Sequence, residues 1–269
     1  MAKSKIEWTE MTWNPVTGCT KVSPGCLNCY AEKMANRLQA IGTPGYENGF
    51  KVTLHPERLD EPWRWRKPRR VFICSMGDLF HEDVKDAWLR YIFNAMWTIE
   101  PIHTYLILTK RPERMRDFFA TWGEEWKEDW PNLWLGVTAE NQEQANKRIP
   151  ILLQTPAAKR FVSAEPMLES INISHHLISG LESWSEGHPE SPNPTWPGGF
   201  SRKLHGIDGV IAGCESGPGR RPANESWFRD LRDQCVAAGI PFFLKQMDVN
   251  GKLVKMPELD GKVWQELAL

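Results

Sequence analysis

The chain has 269 residues, 41% hydrophobic and 25% charged, with a formal net charge of −1. That is the composition of an ordinary folded protein, and the length suits a single α/β barrel as well as two small domains; the near-zero charge excludes any strong overall field for nucleic acid or lipid. No apolar run is long enough to span a bilayer, and Met1 to Trp8 lacks the apolar core of a signal peptide, so the expectation is a cytoplasmic protein, not membrane-bound, whose six cysteines are ligands or core residues rather than disulfides.

In chain order, a short apolar stretch, Met11 to Val16, leads into Gly18-Cys19-Thr20-Lys21-Val22-Ser23-Pro24-Gly25-Cys26-Leu27-Asn28-Cys29-Tyr30 and then a helical pattern from Tyr30 to Ala40. Continuous apolar runs follow at Arg70 to Cys74, Thr104 to Leu108, Leu133 to Val137, Arg160 to Val162, Gly209 to Ala212 and Pro241 to Leu244. Buried parallel strands read this way, continuous rather than alternating. Helical patterns lie between most of them, at Asp83 to Ile99, Pro112 to Phe119, Asn141 to Leu153 and Asn224 to Ala238. Pro112 suits a first helical turn and Gly239 a helix stop. Seven strands alternating with helices predict an α/β fold of mainly parallel strands, a barrel in preference to an open sheet. Residues 1–269 are expected to form one domain with loop insertions at about 42–68 and 181–206.

In parallel α/β folds the reactive groups gather at the C-terminal ends of the strands. Here those ends carry the cysteine run, then Cys74-Ser75-Met76-Gly77-Asp78, Thr109-Lys110-Arg111, Thr138-Ala139-Glu140, Ser163-Ala164-Glu165, Gly213-Cys214-Glu215 and Lys245-Gln246. One acidic residue after a strand is often a helix cap; polar residues after every strand predict an active-site face. Cys74 and Cys214 suit small core positions and Cys235 a helix core. Trp122, Trp126 and Trp130 recur every fourth residue, the spacing of a packing stripe, with base stacking as the alternative. Lys51 to Arg70 holds seven Lys/Arg against three Asp/Glu, with Trp63 and Trp65 interleaved. Such a segment suits phosphate contact and base stacking, or else a solvated connection.

Three thiols at C-x6-C-x2-C spacing are one short of a closed structural zinc site. A [4Fe–4S] cluster held by three cysteines keeps one iron open, although four is the usual ligand set. The cysteines after a first strand, followed by an aromatic residue, resemble the radical S-adenosylmethionine superfamily. Trp13 to Cys19, Val71 to Asp86 with Gly77 to Val84 inside it, Leu108 to Met115, Phe161 to Pro166 and Glu215 to Pro222 resemble an uncharacterised phage and bacterial family, the three-cysteine-motif phage proteins, grouped with radical-SAM barrels. The resemblance covers nearly the whole chain except Leu181 to Gly206.

That resemblance implies a partial (β/α) TIM-like barrel. It also implies a [4Fe–4S] cluster on Cys19, Cys26 and Cys29, and S-adenosylmethionine cleaved reductively to a 5′-deoxyadenosyl radical that abstracts hydrogen from a substrate, with an external electron donor. The superfamily's commonest spacing is C-x3-C-x2-C, so the first gap here is three residues longer, and Asn28 stands where an aromatic residue is usual. By the resemblance, Tyr30 contacts adenine and Ser75 to Asp78 the methionyl amine. Lys110 or Arg111 pairs with the methionyl carboxylate, and Thr138 and Glu140 hold the ribose hydroxyls. Glu165 and Glu215 face the same site, and Cys214 is a candidate hydrogen-atom donor to a substrate radical. The substrate itself is unidentified, with nucleic acid or a nucleotide suggested by the Lys51 to Arg70 segment. The alternative is a non-catalytic zinc- or iron–sulfur-binding module, with Cys74, Cys214 or a histidine as fourth ligand.

Overall fold

A computed structural model describes residues 4, 6–98, 103–122, 130–177, 180–184, 200–204, 206–217 and 219–267. Its first half runs β1 (Met11–Trp13), β2 (Val16–Thr17), α1 (Tyr30–Ala40), β3 (Thr53–Leu54), β4 (Arg70–Ile73), α2 (Asp86–Trp97), β5 (Thr104–Thr109) and α3 (Pro112–Ala120). The second half runs β6 (Leu133–Thr138), α4 (Gln142–Gln154), β7 (Lys159–Ala164), α5 (Ser174–Leu177), β8 (Gly180–Trp184), β9 (Phe200–Leu204), β10 (Gly209–Gly213) and α6 (Glu225–Ala238). It closes with β11 (Phe242–Val249), β12 (Lys252–Lys255), β13 (Glu258–Leu259) and β14 (Lys262–Val263).

Eight strands make one sheet in the order β1-β4-β5-β6-β7-β10-β11-β12. Every neighbouring pair is parallel except β11 with β12. The sheet is curled into a half barrel, and all seven strands expected from the apolar runs contribute to it. Trp8 shows the curl: its ring lies 4.7 Å from that of Phe72 on β4 and 6.2 Å from that of Phe161 on β7. Those strands are three positions apart, about 14 Å in a flat sheet.

Period-two alternation sorts the side chains. Val71, Ile73, Tyr105, Ile107, Leu135, Val137, Val162, Val210 and Leu244 belong to the main core, shared with α2, α3, α4 and α6. Phe72, Leu106, Trp134, Phe161, Ile211 and Phe243 form a second apolar layer with Trp8 on the concave face. Gly136 is required there, because a Cβ would stand 2.5 Å from the Phe161 ring. Helix ends follow their local chemistry: Asn141 accepts from the Gln144 amide at 2.9 Å, and Gly239 leaves α6 at φ 68°.

Two connections differ from the expected plain loops. The segment at 42–68 contains β3, which pairs antiparallel with β2, and two short 3₁₀ turns. In the segment at 181–206 the outer parts form an antiparallel ribbon, β8 with β9, and residues 185–199 lie outside the described residues. Trp122 and Trp130 stack at 6.3 Å and pack on Phe93, as a packing stripe should; Trp126 lies outside the described residues. No helix among the described residues is long and apolar enough to cross a membrane.

Candidate functional site

The C-terminal strand ends surround a cavity of about 420 Å³, within the usual range for a small-molecule site. Cys19, Cys26 and Cys29 line it, together with Tyr30, Ser75, Asp78, Lys110, Arg111, Thr138, Glu165, Cys214 and Glu215. Of the site residues expected from sequence, Glu140 alone is absent from that wall.

The cysteine loop runs from β2 to α1, with a 3₁₀ turn at Pro24–Cys26. Gly18 starts it at φ 84°, where a Cβ would stand 2.2 Å from the Lys51 carbonyl oxygen, so glycine is required. Three polar groups from distant strand ends then hold the loop. After β5, the Arg111 guanidinium is buried; Nη1 donates to Cys19 Sγ at 3.3 Å and Nη2 to Thr20 Oγ1 at 2.8 Å. After β6, Glu140 is fully buried, pairs with Arg148 at 2.8 Å and accepts the Gly25 amide at 3.2 Å. A Cβ at Gly25 would stand 2.9 Å from the Glu140 carboxyl carbon, so this approach too requires glycine. After β10, Glu215 accepts from Asn28 Nδ2 at 2.7 Å and pairs with Arg221, whose Nη1 reaches the Pro24 carbonyl at 3.0 Å. The unusual Asn28 thus has a structural use: it ties the loop to β10.

These contacts revise several expected roles. Both Glu140 oxygens serve the protein, one accepting the Gly25 amide and the other Arg148. Burial alone would raise its pKa, but Arg148, Ser23 and Lys110 outweigh burial and hold it below the usual carboxylate range. Asp78 is not open to an amine. Its carboxylate already accepts from Thr109 Oγ1 at 2.7 Å, the Phe80 amide at 3.0 Å, Arg111 Nη1 at 3.1 Å and the Lys110 amide at 3.2 Å. Those four donors fill its lone-pair directions. Arg111 is likewise committed, to Asp78, Glu82, Cys19 and Thr20. Of the two cations considered for a ligand carboxylate, Lys110 is the one with capacity. Its Nζ has Thr138 Oγ1 at 3.4 Å and no ion-pair partner among the described residues. The Tyr30 hydroxyl donates to the Ser75 carbonyl oxygen, and although the residue is half exposed, desolvation at its hydroxyl end raises the pKa. Ser75 in turn donates to Asn14 Oδ1 at 3.2 Å.

The far wall is composed differently. Lys245 Nζ lies 2.8 Å from Glu165 Oε1, and Gln246 Nε2 donates to the Cys214 carbonyl at 2.8 Å. Gly213 makes room for Glu165, since a Cβ would stand 2.7 Å from Oε1. Burial pushes the Cys214 thiol up to about 11, Asp248 adding to it, so it keeps its proton at neutral pH. Burial also pushes Cys19 up to about 11, Asp78 adding and Arg111 opposing. Cys74, the residue after β4, lines the cavity, while Cys235 on α6 is buried in the core.

Sequence reasoning missed His81, whose Nε2 lies 2.9 Å from Thr20 Oγ1 while Nδ1 accepts the Asp83 amide at 3.1 Å. That pairing assigns the Nε2–H tautomer. It also missed Arg148 and Arg221; each sits on a helix or loop with no strand-end position to mark it. In the basic segment, Arg64 pairs with Asp60, Arg69 with Glu10, and Trp65 is buried, while Trp63, Arg66 and Lys67 are exposed. All of these lie outside the cavity wall.

The thiols of the described residues are free of disulfides. Among those residues no group of three or more His, Cys, Asp or Glu side chains is gathered closely enough to hold a metal ion. A family model described as Protein of unknown function (DUF5131) matches residues 3–268. No curated protein and no solved structure matches the chain.

Proposed function

We propose that this chain, which belongs to the DUF5131 family, is a radical S-adenosylmethionine enzyme. The observation that carries the reading is the position of its three thiols. Cys19, Cys26 and Cys29 sit on one anchored loop and line one cavity at the C-terminal ends of a curled parallel sheet. Three thiols on one loop are the donor set of a [4Fe–4S] cluster with one iron open, and here they line the cavity without being gathered as a metal site. Cys19, Cys26 and Cys29 would hold that cluster, which would supply the electron for reductive cleavage of S-adenosylmethionine to methionine and a 5′-deoxyadenosyl radical.

The chain's own residues do the rest. Lys110 receives the methionyl carboxylate, and the Thr138 hydroxyl beside it is a ribose partner. Tyr30 and Ser75 line the cofactor side of the cavity. Asp78, Arg111, Glu140 and Glu215 are positioning residues: they keep the loop and its thiols in place across the sheet. On the far wall Glu165 and Lys245 contact substrate. Cys214, a protonated thiol facing the same cavity, supplies a hydrogen atom to a substrate radical.

A second reading has one observation in its favour. Cys74 and Cys214 line the same cavity as the three loop cysteines and offer a fourth thiolate, as a closed zinc site needs. One experiment separates the two. The protein is reconstituted anaerobically with iron and sulfide, then given S-adenosylmethionine and dithionite. A brown protein that forms 5′-deoxyadenosine supports the enzyme. Stoichiometric zinc in a colourless protein, with no 5′-deoxyadenosine, overturns it.

A further inference from the structure

The far wall of the cavity stands over an apolar floor. Side chains alternate along a strand, so Phe161 and Ser163 on β7 share the concave face, as do Phe243 and Lys245 on β11. Glu165 continues the β7 series just past the strand end. The Glu165–Lys245 pair therefore lies above the layer that holds Phe161, Phe243 and Trp8. Trp8, Phe72 and Leu108 bring that layer to the cavity wall. Gly213, on the strand between β7 and β11, leaves the gap that Glu165 occupies. The pair itself is not saturated. Lys245 Nζ lies 2.8 Å from Glu165 Oε1, an ionic contact without hydrogen-bond alignment, since Oε1 is buried and makes no hydrogen bond. Among the described residues Oε2 has the Ser163 hydroxyl at 3.4 Å, and the Lys245 ammonium has no second partner for its three N–H groups. Asp78, on the same cavity, accepts from four donors.

We propose that this end of the cavity binds an α-amino acid with an apolar or aromatic side chain. The inference rests on the proposed function in one respect, that the far wall is the substrate's side. A ligand with a single charge would pair with one member of the ion pair and strand the other in a mostly buried place, a costly exchange. A zwitterion replaces one ion pair by two. Its ammonium donates to Glu165, and its carboxylate accepts from Lys245. Both are charge-assisted hydrogen bonds, roughly twice as strong as those a neutral ligand would make. The side chain then leaves water for the floor of Trp8, Phe72 and Leu108. The site thus reads its ligand at both ends, two adjacent opposite charges above and an apolar group below.

The probes are L-phenylalanine and L-leucine, titrated by calorimetry into the chain as purified, without reconstitution. Glycine, phenethylamine, 3-phenylpropionate and uracil are run beside them. Phenylalanine should bind at least about tenfold more tightly than glycine, which lacks the side chain, and than either analogue that lacks one charge. Glu165→Gln should weaken phenylalanine about tenfold and leave 3-phenylpropionate no weaker. Lys245→Met should weaken phenylalanine as much and spare phenethylamine. Leu108→Trp fills the floor without touching the pair and should also weaken phenylalanine; melting temperatures separate a lost contact from a lost fold in each variant. Phenylalanine that binds no better than its single-charge analogues overturns the proposal. So does tighter binding of uracil, which would make the floor a nucleobase site. S-adenosylmethionine that loses affinity in Lys245→Met as phenylalanine does overturns it too, because the pair would then serve the methionyl end. A reconstituted protein that forms no 5′-deoxyadenosine ends the functional reading and leaves these affinities standing. Absent binding of both phenylalanine and leucine ends this inference alone.

Discussion

The two walls of the cavity handle charge in opposite ways. On the cysteine side, Asp78, Arg111, Glu140 and Glu215 are all buried and all satisfied by protein partners. On the far side, Lys245 pairs with Glu165, their side chains 22% and 13% exposed, and Gln246 donates to the Cys214 carbonyl. The first wall is therefore framework: its polar groups hold a loop, and changing them changes the protein. The second wall keeps capacity for a ligand, and changing it should change what the ligand becomes. Buried charges with complete partners are costly to break and cheap to leave alone.

The sharpest way to break this contrast is at the loop thiols. Replacing Cys19, Cys26 or Cys29 by Ala should reduce iron after reconstitution to background, because each thiolate has no substitute on the loop. Cys235→Ala, in the core of α6, should retain the wild-type content. Equal iron loss in both would end the ligand assignment.

Next comes the framework itself. Arg148→Met leaves Glu140 buried without its partner, and should cost about 3–5 kcal/mol in a denaturant titration. A loss near zero would mean that the cysteine wall is no more rigid than the far one.

The same pair gives a pH test. The folded pKa of Glu140 is below its unfolded value, so its contribution is complete above about pH 4.5 and is lost as pH falls through the folded value. Acid unfolding monitored below pH 4.5 should be steeper in the wild type than in Glu140→Gln. Superimposable acid profiles would contradict the assigned direction.

The smallest effect on stability, and the most informative on chemistry, is expected from Cys214→Ala. It should cost about 1 kcal/mol or less. Formation of 5′-deoxyadenosine should continue while the product is lost or diverted. An unaltered product would return Cys214 to a packing role.

Much of this architecture was legible in the chain. The run Thr104 to Leu108 is apolar at every position but its first because a strand buried on both faces has no polar side, and β5 extends it by one residue. The alternation of such runs with helices carried the half barrel, and the polar residues after each run gathered at one cavity as the fold class requires. What was not legible was commitment. Sequence places Asp78, Arg111 and Glu140 near a ligand, but only geometry shows their hydrogen-bonding capacity spent on Thr109, Cys19 and Gly25. The antiparallel β12 also escaped notice, because Lys252 to Lys255 is mostly exposed and carries no apolar run.

The three anchors of the cysteine loop come from far along the chain. Cys19 meets Arg111 across 92 residues, Gly25 meets Glu140 across 115, and Asn28 meets Glu215 across 187. Contacts of that span form late, since the loop-closure cost of distant pairing precedes its reward. During synthesis the cysteines emerge well before their anchors, the last of which is made only after β10 has appeared. A nascent chain therefore carries three unprotected thiols through most of its own assembly. Air exposure during expression should harm this protein before folding is complete, so oxygen-limited growth should raise the yield of loadable protein more than anaerobic handling after purification.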